Sequence, residues 1–224
     1  MTIADRNAAV VVGPRVRIRA FTRGDVDTWQ AWPDYSDPLL VGTSPRRMSP
    51  DQRSRWLEDV VQRQRQIPFA IEDERGELIG RLFLRHVRKD ERSAVLGIDL
   101  HPAKLSQRYG TEALSAFLGY FFGEMGFDRM LLSVAAHNAR AYRCYESLGF
   151  TSIGSHWDAH AGPDVTRNPV YAHVRGMFRR GSLGLESLFY DMRLNREEWR
   201  RQSEEGRRRQ MRLDELNHQQ RRQR

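Results

Sequence analysis

A polar loop that ends at a glycine and leads into a helix is the first stretch of this sequence that could do chemistry. Tyr109 and Gly110 close the loop. Thr111 and Glu112 follow, where a hydroxyl can cap the helix and a carboxylate complements its dipole. Apolar residues then recur at helical spacing: Leu114, Phe117, Leu118, Phe121 and Met125. Backbone N–H groups at such a helix start can bind an anion, although most glycines before a helix are only turn residues.

A second helix downstream carries a tyrosine and ends at a glycine. The stretch Asn138–Phe150 reads N-x-x-A-x-x-x-Y-E-x-x-G-F, with Tyr145 on its apolar stripe and Gly149 as a terminator. Together with the Y-G-T-E-A start of the earlier helix, this pattern closely resembles the GNAT family of acetyl-CoA-dependent N-acetyltransferases. The chain looks most similar to the branch of ribosomal-protein N-terminal and spermidine acetyltransferases, and the resemblance covers Arg15 to Trp199.

The elements that must position these helices indicate a mixed α/β domain. Short polar turns separate three predicted strands, which must therefore be antiparallel neighbours: Phe69–Glu72, Leu78–Val87 and Ala94–Leu100. Beyond Leu100 helices alternate with strands, which implies locally parallel strands. The predicted fold is a mixed, mostly antiparallel sheet with helices on both faces, which is also the GNAT acyl-CoA N-acyltransferase architecture.

The same pattern predicts one domain over residues 15–200. We expect residues 1–14 to form a flexible arm and residues 201–224 to form a basic, mobile tail, because the tail lacks a full apolar stripe. The span His156–Glu186 is longer than the hairpin expected at that point.

Composition narrows the class of protein. The single cysteine, Cys144, excludes an internal disulfide and a cysteine-based metal site, so we expect no metal. No apolar run approaches the ~20 residues of a membrane helix, and the N-terminus does not read as a signal peptide. We therefore expect a cytoplasmic protein without membrane contact. The net charge of +8 favours an anionic partner such as CoA, nucleic acid or the ribosome.

The resemblance implies that acetyl-CoA is the cosubstrate and that the loop Gln107–Thr111 binds its pyrophosphate through backbone N–H groups. Two residues depart from the family pattern R/Q-x-x-G-x-G/A, because Leu105 replaces the Arg or Gln and Arg108 replaces the first Gly. Arg108 could contact a phosphate itself, or the change could weaken CoA binding. The residues implied at the cofactor are Leu100, His101, Gln107, Arg108, Tyr109, Gly110, Thr111, Asn138, Arg140 and Arg143.

Several of these residues have plainer interpretations. His101 could be a simple strand exit, which we prefer, and Asn138 could cap the following helix, with or without a CoA contact. Arg140 and Arg143 could reach CoA phosphates or lie on a solvated helix surface.

For catalysis, the resemblance implies that Tyr145 is the general acid that protonates the departing CoA thiolate. Tyr145 could otherwise be a core residue. The base is open, because Ser133 occupies the position of the glutamate found in some N-terminal acetyltransferases of the family. We expect Asp99 as its substitute, followed by Glu72, His137 or a water chain, although Asp99 could simply pair with an arginine.

The acceptor amine is left open between a protein N-terminus, such as that of a ribosomal protein, and a small polyamine, with an amino sugar not excluded. Family acceptors enter over the first helices and the last hairpin. Trp29, Trp32 and Tyr35 are therefore candidate acceptor contacts that could frame a cation, or they could be core residues.

Two other classes of function compete. One is a catalytically degenerate GNAT-fold binding module, motivated by Leu105, Arg108 and Ser133. The other is association with RNA or the ribosome through the Arg-rich tail. Acidic residues are interspersed in that tail, so we expect a solvated terminus and no nucleic-acid partner. A homodimer is an open prediction.

Overall fold

The chain folds around one nine-stranded sheet in this computed structural model, which describes residues 9–206. The strands are β1 Ala9–Val12, β2 Val16–Ala20, β3 Ile67–Asp73, β4 Leu78–Arg88, β5 Ser93–Leu100, β6 Arg129–Ala135, β7 Thr151–Ala159, β8 Phe178–Gly181 and β9 Gly184–Asn195. Their order is β1-β2-β3-β4-β5-β6-β9-β7, and β8 pairs with β9 outside this path. Every neighbouring pair is antiparallel except β5 and β6. This confirms the predicted mixed, mostly antiparallel sheet.

Helices cover both faces of the sheet, as predicted. They are α1 Arg23–Gln30, α2 Pro50–Glu58, α3 Tyr109–Phe122 and α4 Ala139–Ser147, followed by α5 at residues 196–206. Trp29 of α1 packs in one cluster with Ala70 of β3, whereas Phe117 of α3 contacts the adjacent Phe69. Successive side chains of a strand point to opposite faces, so α1 and α3 lie on opposite sides. Tyr145 of α4 belongs to the same core as α3.

Local capping explains where the first two helices begin. Ser49 and Gln52 exchange the two hydrogen bonds of a capping box, and Pro50 is the first residue of α2. Asp25 accepts hydrogen bonds from the backbone and hydroxyl of Thr22 ahead of α1. The residue types at both helix starts, a hydroxyl at the N-cap and a carboxylate or amide three residues later, are those of a capping box.

The predicted cap of α3 is wrong. This helix begins at Tyr109, two residues before Thr111, and its N-cap residue Arg108 provides no side-chain cap. The hydroxyl of Thr111 lies 3.2 Å from the Cys144 thiol and so links α3 to α4. Glu112 does stand in the first turn, as predicted, where it also binds the backbone N–H and guanidinium of Arg15.

The parallel strands β5 and β6 pair only over a short distance. Ser93–Val95 pair with Arg129–Leu131. The remaining residues of the two strands, up to Leu100 and Ala135, diverge. Unpaired backbone N–H and C=O groups at this opening need other partners, so a ligand can bind between the strands.

The chain ends differ from the prediction. Ala9–Val12 is not part of a loose arm but forms β1 on the edge of the sheet, because Val10 and Val11 pack against the main core. At the other end, residues 201–206 continue α5, and the side chain of Gln202 packs over Gly149. The remaining predicted arm, 1–8, and tail, 207–224, lie outside the described residues.

The long span before β9 contains ordered structure. A 3₁₀ segment, Pro169–Met177, leads into β8, which forms a hairpin with β9. A small core supports this insert through Val165, Val174 and Phe178. Within residues 9–206, none of the helices has the length and apolar character that a membrane span requires.

Candidate active site

A cleft of about 880 Å³ opens where β5 and β6 diverge. Its walls come from both strands, from the loop before α3 and from α4. Two loops lie over it, at residues 39–43 and 159–162. The two motifs singled out in the sequence, the glycine before α3 and the tyrosine on α4, therefore meet at one cavity.

Tyr145 is the buried tyrosine of this cleft. Its side chain is 9% exposed, lies in the main core and contacts the Phe150 ring edge-on at 5.8 Å. Burial, with the nearby Cys144 and Asp99, raises the pKa of the Tyr145 phenol well above its ordinary value of ~10. The phenol therefore keeps its proton at neutral pH and can act as a proton donor.

The loop before α3 has an unusual backbone. Ser106 and Arg108 both adopt positive φ values, 60° and 68°, in the left-handed region. Glycine favours that region, whereas a residue with a Cβ is strained there. Arg108 thus takes the conformation that a glycine would allow, directly before the free N–H groups of α3. The departure from the family pattern at Arg108 has not removed the loop geometry that suits an anion.

The cleft is cationic. Its lining includes four arginines, Arg85, Arg108, Arg140 and Arg143, and one carboxylate, Asp99. Within residues 9–206 none of the four arginines forms an ion pair, whereas Asp99 is bound by Arg81, which is outside the lining, at 2.6 Å. Such a lining attracts an anionic ligand.

A family model described as "Acetyltransferase (GNAT) domain" matches residues 15–151 of the chain. This chain belongs to the GNAT acetyltransferase family. A search of curated protein sequences finds no match to this chain.

Solved structures share this GNAT fold at low identity. A spermidine N-acetyltransferase from Vibrio cholerae, in complex with CoA and spermine, is 18% identical with a TM-score of 0.65 and covers 82% of this chain and 97% of its own. A GNAT-family acetyltransferase from Bacillus anthracis is 17% identical with a TM-score of 0.61 and covers 84% of this chain and 99% of its own. At these identities the likeness shows the fold alone.

The residues that the GNAT resemblance placed at the cofactor separate into two groups. Those that line the cleft are Leu100, Arg108, Gly110, Thr111, Asn138, Arg140 and Arg143. His101, Gln107 and Tyr109 lie outside its lining. The imidazole of His101 accepts a hydrogen bond from Ala103 N–H, consistent with a simple strand exit. Tyr109, the first residue of α3, is buried in the main core.

The helix-cap interpretation of Asn138 is confirmed, since its Oδ1 accepts a hydrogen bond from Ala141 N–H. Gly110 marks a close approach to β5, because a Cβ there would lie 3.1 Å from a methyl group of Leu100. The backbone carbonyl of Leu100 accepts a hydrogen bond from the Tyr35 hydroxyl at 2.6 Å.

Two of the predicted base candidates are poorly placed to take a proton in the cleft. Glu72 is 4% exposed and is bound by Arg17 and Arg19, outside the cleft lining. His137 lines the cleft, but its Nδ1 is closed to solvent and has no hydrogen-bond partner within residues 9–206. Burial lowers the pKa of His137, with a further contribution from His160.

Two other groups remain near the diverging strands. Asp99 lines the cleft and pairs with Arg81, as the plainer interpretation held. Ser133 is exposed, lines the cleft and donates a hydrogen bond to Asp191 at 2.6 Å. Asp191, on β9, also contacts His156 at 2.9 Å. Asp191 was not predicted from the sequence, because only the pairing of β6 with β9 brings it beside Ser133.

The predicted acceptor contacts are mostly wrong. Trp29 and Trp32 are 6% and 4% exposed and belong to the apolar cluster between α1 and the sheet, outside the cleft lining. Burying such large rings stabilises the docking of a short helix, so they are core residues. Tyr35 does line the cleft, and burial raises its pKa to about 12.

Proposed function

We propose that this protein transfers the acetyl group of acetyl-CoA to a primary amine in the cleft between β5 and β6. The observation that carries the proposal is Tyr145, a buried phenol that lines a cationic cleft. Membership of the GNAT family supports acetyl transfer, and the Vibrio cholerae relative holds CoA in its structure.

The cofactor end is assigned to the α3 side of the cleft. Backbone N–H groups around Gly110 carry the partial positive charge of the helix N-terminus and would bind the pyrophosphate. Arg108, Arg140 and Arg143 line the same cavity and can form charge-assisted hydrogen bonds to phosphate oxygens. Backbone groups of β5 and β6, free of each other beyond Val95 and Leu131, would hold the pantetheine arm.

The reaction is direct attack. The neutral amine adds to the thioester carbonyl, a C–N bond forms, and the C–S bond breaks. The leaving thiolate then takes the proton of the Tyr145 hydroxyl, which is neutral at physiological pH. The nitrogen loses two protons in all. The first leaves the ammonium form before attack and goes to solvent, and the second leaves after the C–N bond forms and restores the phenol by way of solvent.

We assign the first step of amine deprotonation to Ser133 and Asp191. Ser133 is the exposed hydroxyl on the β6 wall, and its hydrogen bond to Asp191 supplies a carboxylate next to the position where some relatives carry a glutamate. Asp99 is the competing assignment, because it lines the cleft and lies close enough to influence the Tyr145 phenol. Asp191→Asn should therefore flatten the rise of kcat/KM with pH, whereas Asp99→Asn should keep it. The opposite result would favour Asp99 as the base.

Isothermal titration with acetyl-CoA, with CoA as the control ligand, tests the proposal, and release of CoA thiol on adding an amine tests the transfer. Micromolar binding with amine-dependent thiol release is the expected result. Absence of binding would overturn the proposal and favour a GNAT-fold scaffold whose departures at Leu105 and Arg108 abolished cofactor binding. Binding without transfer to any amine would favour a degenerate binding module.

A further inference from the structure

The cleft has a second region on the α1 side of the sheet, which we call the acceptor chamber. Leu82 and Leu84 of β4 point into the α3 core, so Phe83 and Arg85 face the opposite side. Both line the cleft. Ser133 also points to this side, because its neighbours Leu132 and Val134 lie in the α3 core. An amine bound here would reach the thioester from the side opposite to α3.

The chamber has a roof built from two distant segments. A Cβ on Gly42 would lie 2.7 Å from backbone atoms of Ala161 and Gly162, so the loop before α2 touches the loop after β7. A Cβ on Gly162 would likewise lie 3.1 Å from the Pro38 carbonyl. The roof loops 39–43 and 159–162 contribute no carboxylate to the lining. The roof therefore offers no negative charge to a cationic acceptor.

Arg85 is the unpaired charge of this chamber. Its side chain is part-buried, its Nε is closed to solvent, and within residues 9–206 it has neither a hydrogen bond nor an ion pair. Its one described contact is with the face of Phe83, at 5.4 Å. By contrast, the neighbouring Arg81 on the same face is bound by Asp99. The two terminal Nη atoms are not among the closed ones, so the unpaired guanidinium is free to bind an anionic ligand in the cleft.

We propose that the acceptor is a primary amine that also carries an anionic group, a carboxylate or a phosphate, and that Arg85 binds this group. The inference rests on the proposed acetyl transfer and names the substrate class of the same cleft. The guanidinium fork matches the geometry of both anions. A polyamine fits poorly, because Asp99 is the one carboxylate that residues 9–206 contribute to the lining and it is already paired.

The sheet register sets the spacing between the two groups of the acceptor. Arg85 pairs with Val95, and Val95 pairs with Leu131, two residues before Ser133. The backbones of β4 and β6 are about 10 Å apart at ~4.8 Å per strand, and the arginine side chain covers part of this distance. The anionic group is therefore separated from the reacting amine by several bonds. The cationic surroundings also favour the neutral, nucleophilic form of the amine.

The test compares matched acceptors by kcat/KM for release of CoA thiol. γ-Aminobutyrate is compared with aminobutanol to test a carboxylate. Phosphoethanolamine is compared with ethanolamine to test a phosphate. Spermidine is included as a purely cationic acceptor. We expect kcat/KM for at least one anionic amine to exceed that of its neutral partner by about tenfold or more, because a hydrogen bond to a charged group contributes about that much. A preference for spermidine or for both neutral partners would overturn the inference.

Variants show whether Arg85 causes the preference. Arg85→Gln should remove it, chiefly through KM, and Arg85→Lys should restore it in part. Arg88→Gln, an exposed position on the same strand, is the matched control and should keep it. Melting temperature and acetyl-CoA titration confirm that each variant folds. A preference that survives in Arg85→Gln would contradict the role of Arg85.

A binding measurement keeps the inference testable if no amine reacts. N-acetyl-γ-aminobutyrate is titrated into the wild-type protein and into Arg85→Gln, both with CoA present. Binding that is lost with the substitution supports the anionic site, and equal or absent binding overturns it. The acetyl-CoA titration separates failure of this inference from failure of the proposed function. If acetyl-CoA does not bind, the proposed function fails, whatever the role of Arg85.

Discussion

Two groups of arginines in this protein have opposite environments. Around β2, Arg17 and Arg19 are bound by Glu72, and Arg19 is also bound by Asp25 at 2.6 Å; we call these four residues the β2 ion network. In the cleft, the four lining arginines form no ion pair within residues 9–206. Buried charges persist when they are compensated, so the network is structural. The uncompensated cleft charges are instead available to ligands.

The largest expected effect comes from the cleft and should leave stability unchanged. Tyr145→Phe removes the proton donor but keeps the ring, so we expect kcat to fall by about 10²–10⁴-fold with acetyl-CoA affinity and melting temperature nearly constant. Steady-state kinetics and titration calorimetry measure this. If kcat stays within a few-fold of wild type, Tyr145 is a core residue and another group protonates the thiolate.

The converse effect is expected in the β2 ion network. Glu72→Gln removes the carboxylate that Arg17 and Arg19 share, while Arg19 keeps Asp25, so the free energy of unfolding should fall by about 2 kcal/mol. Acetyl-CoA affinity should not change. Chemical denaturation measures the loss, and Glu91→Gln, in an exposed pair with Arg88, is the control with an expected effect below about 1 kcal/mol. Equal losses in both variants would remove the distinction between the two regions.

Arg108 separates charge from backbone strain within the cleft. Arg108→Gly should raise the free energy of unfolding by about 0.5–1 kcal/mol, because glycine adopts the left-handed φ of 68° without strain, yet lower acetyl-CoA affinity several-fold through the lost charge. Arg108→Ala removes the charge but keeps the strain, so it should lower affinity without the gain in stability. Tighter acetyl-CoA binding by Arg108→Gly would instead support a degenerate cofactor site.

The smallest effect appears only on acidification. Burial would raise the pKa of Asp25, but hydrogen bonds from Arg19 and Thr22 outweigh it and hold the pKa below its ordinary value. A lowered folded-state pKa gives stability above the unfolded value of ~3.9 that is lost as pH falls through the folded value. The difference in unfolding free energy between wild type and Asp25→Asn should therefore shrink below about pH 4. Urea denaturation across pH would show a constant difference if the network were not coupled to this proton.

Much of the fold followed from local patterns. The capping residues before α1 and α2, the short turns between β3, β4 and β5, and the stripe of α4 depend on residues close in sequence, and the structure agrees with each. The start of α3 was misplaced because a hydroxyl at Thr111 mimics a cap, whereas the backbone of Arg108 adopts the left-handed conformation two residues earlier. The edge strand β1 was missed because three valines next to a glycine give no clear period.

The candidate site was predicted less completely. The tryptophans of α1 and the next loop were assigned to the acceptor, but composition cannot tell a ring that faces a ligand from one that faces a sheet. Arg85 and Asp191 were missed because nothing nearby in the sequence distinguishes them from the other charged residues of their strands. Only the neighbours of a side chain across the sheet show whether its charge is compensated.

The sequence by itself determined the family, the order of strands and helices from β2 to β7, and the position of Tyr145 on α4, since each depends on motifs and periodicities within short segments. The tertiary structure decided which charges are paired, which aromatic rings are buried and which carboxylate stands beside Ser133. These are contacts between residues far apart in the chain. Sheet pairing and the divergence of β5 from β6 set them, and no local pattern encodes either.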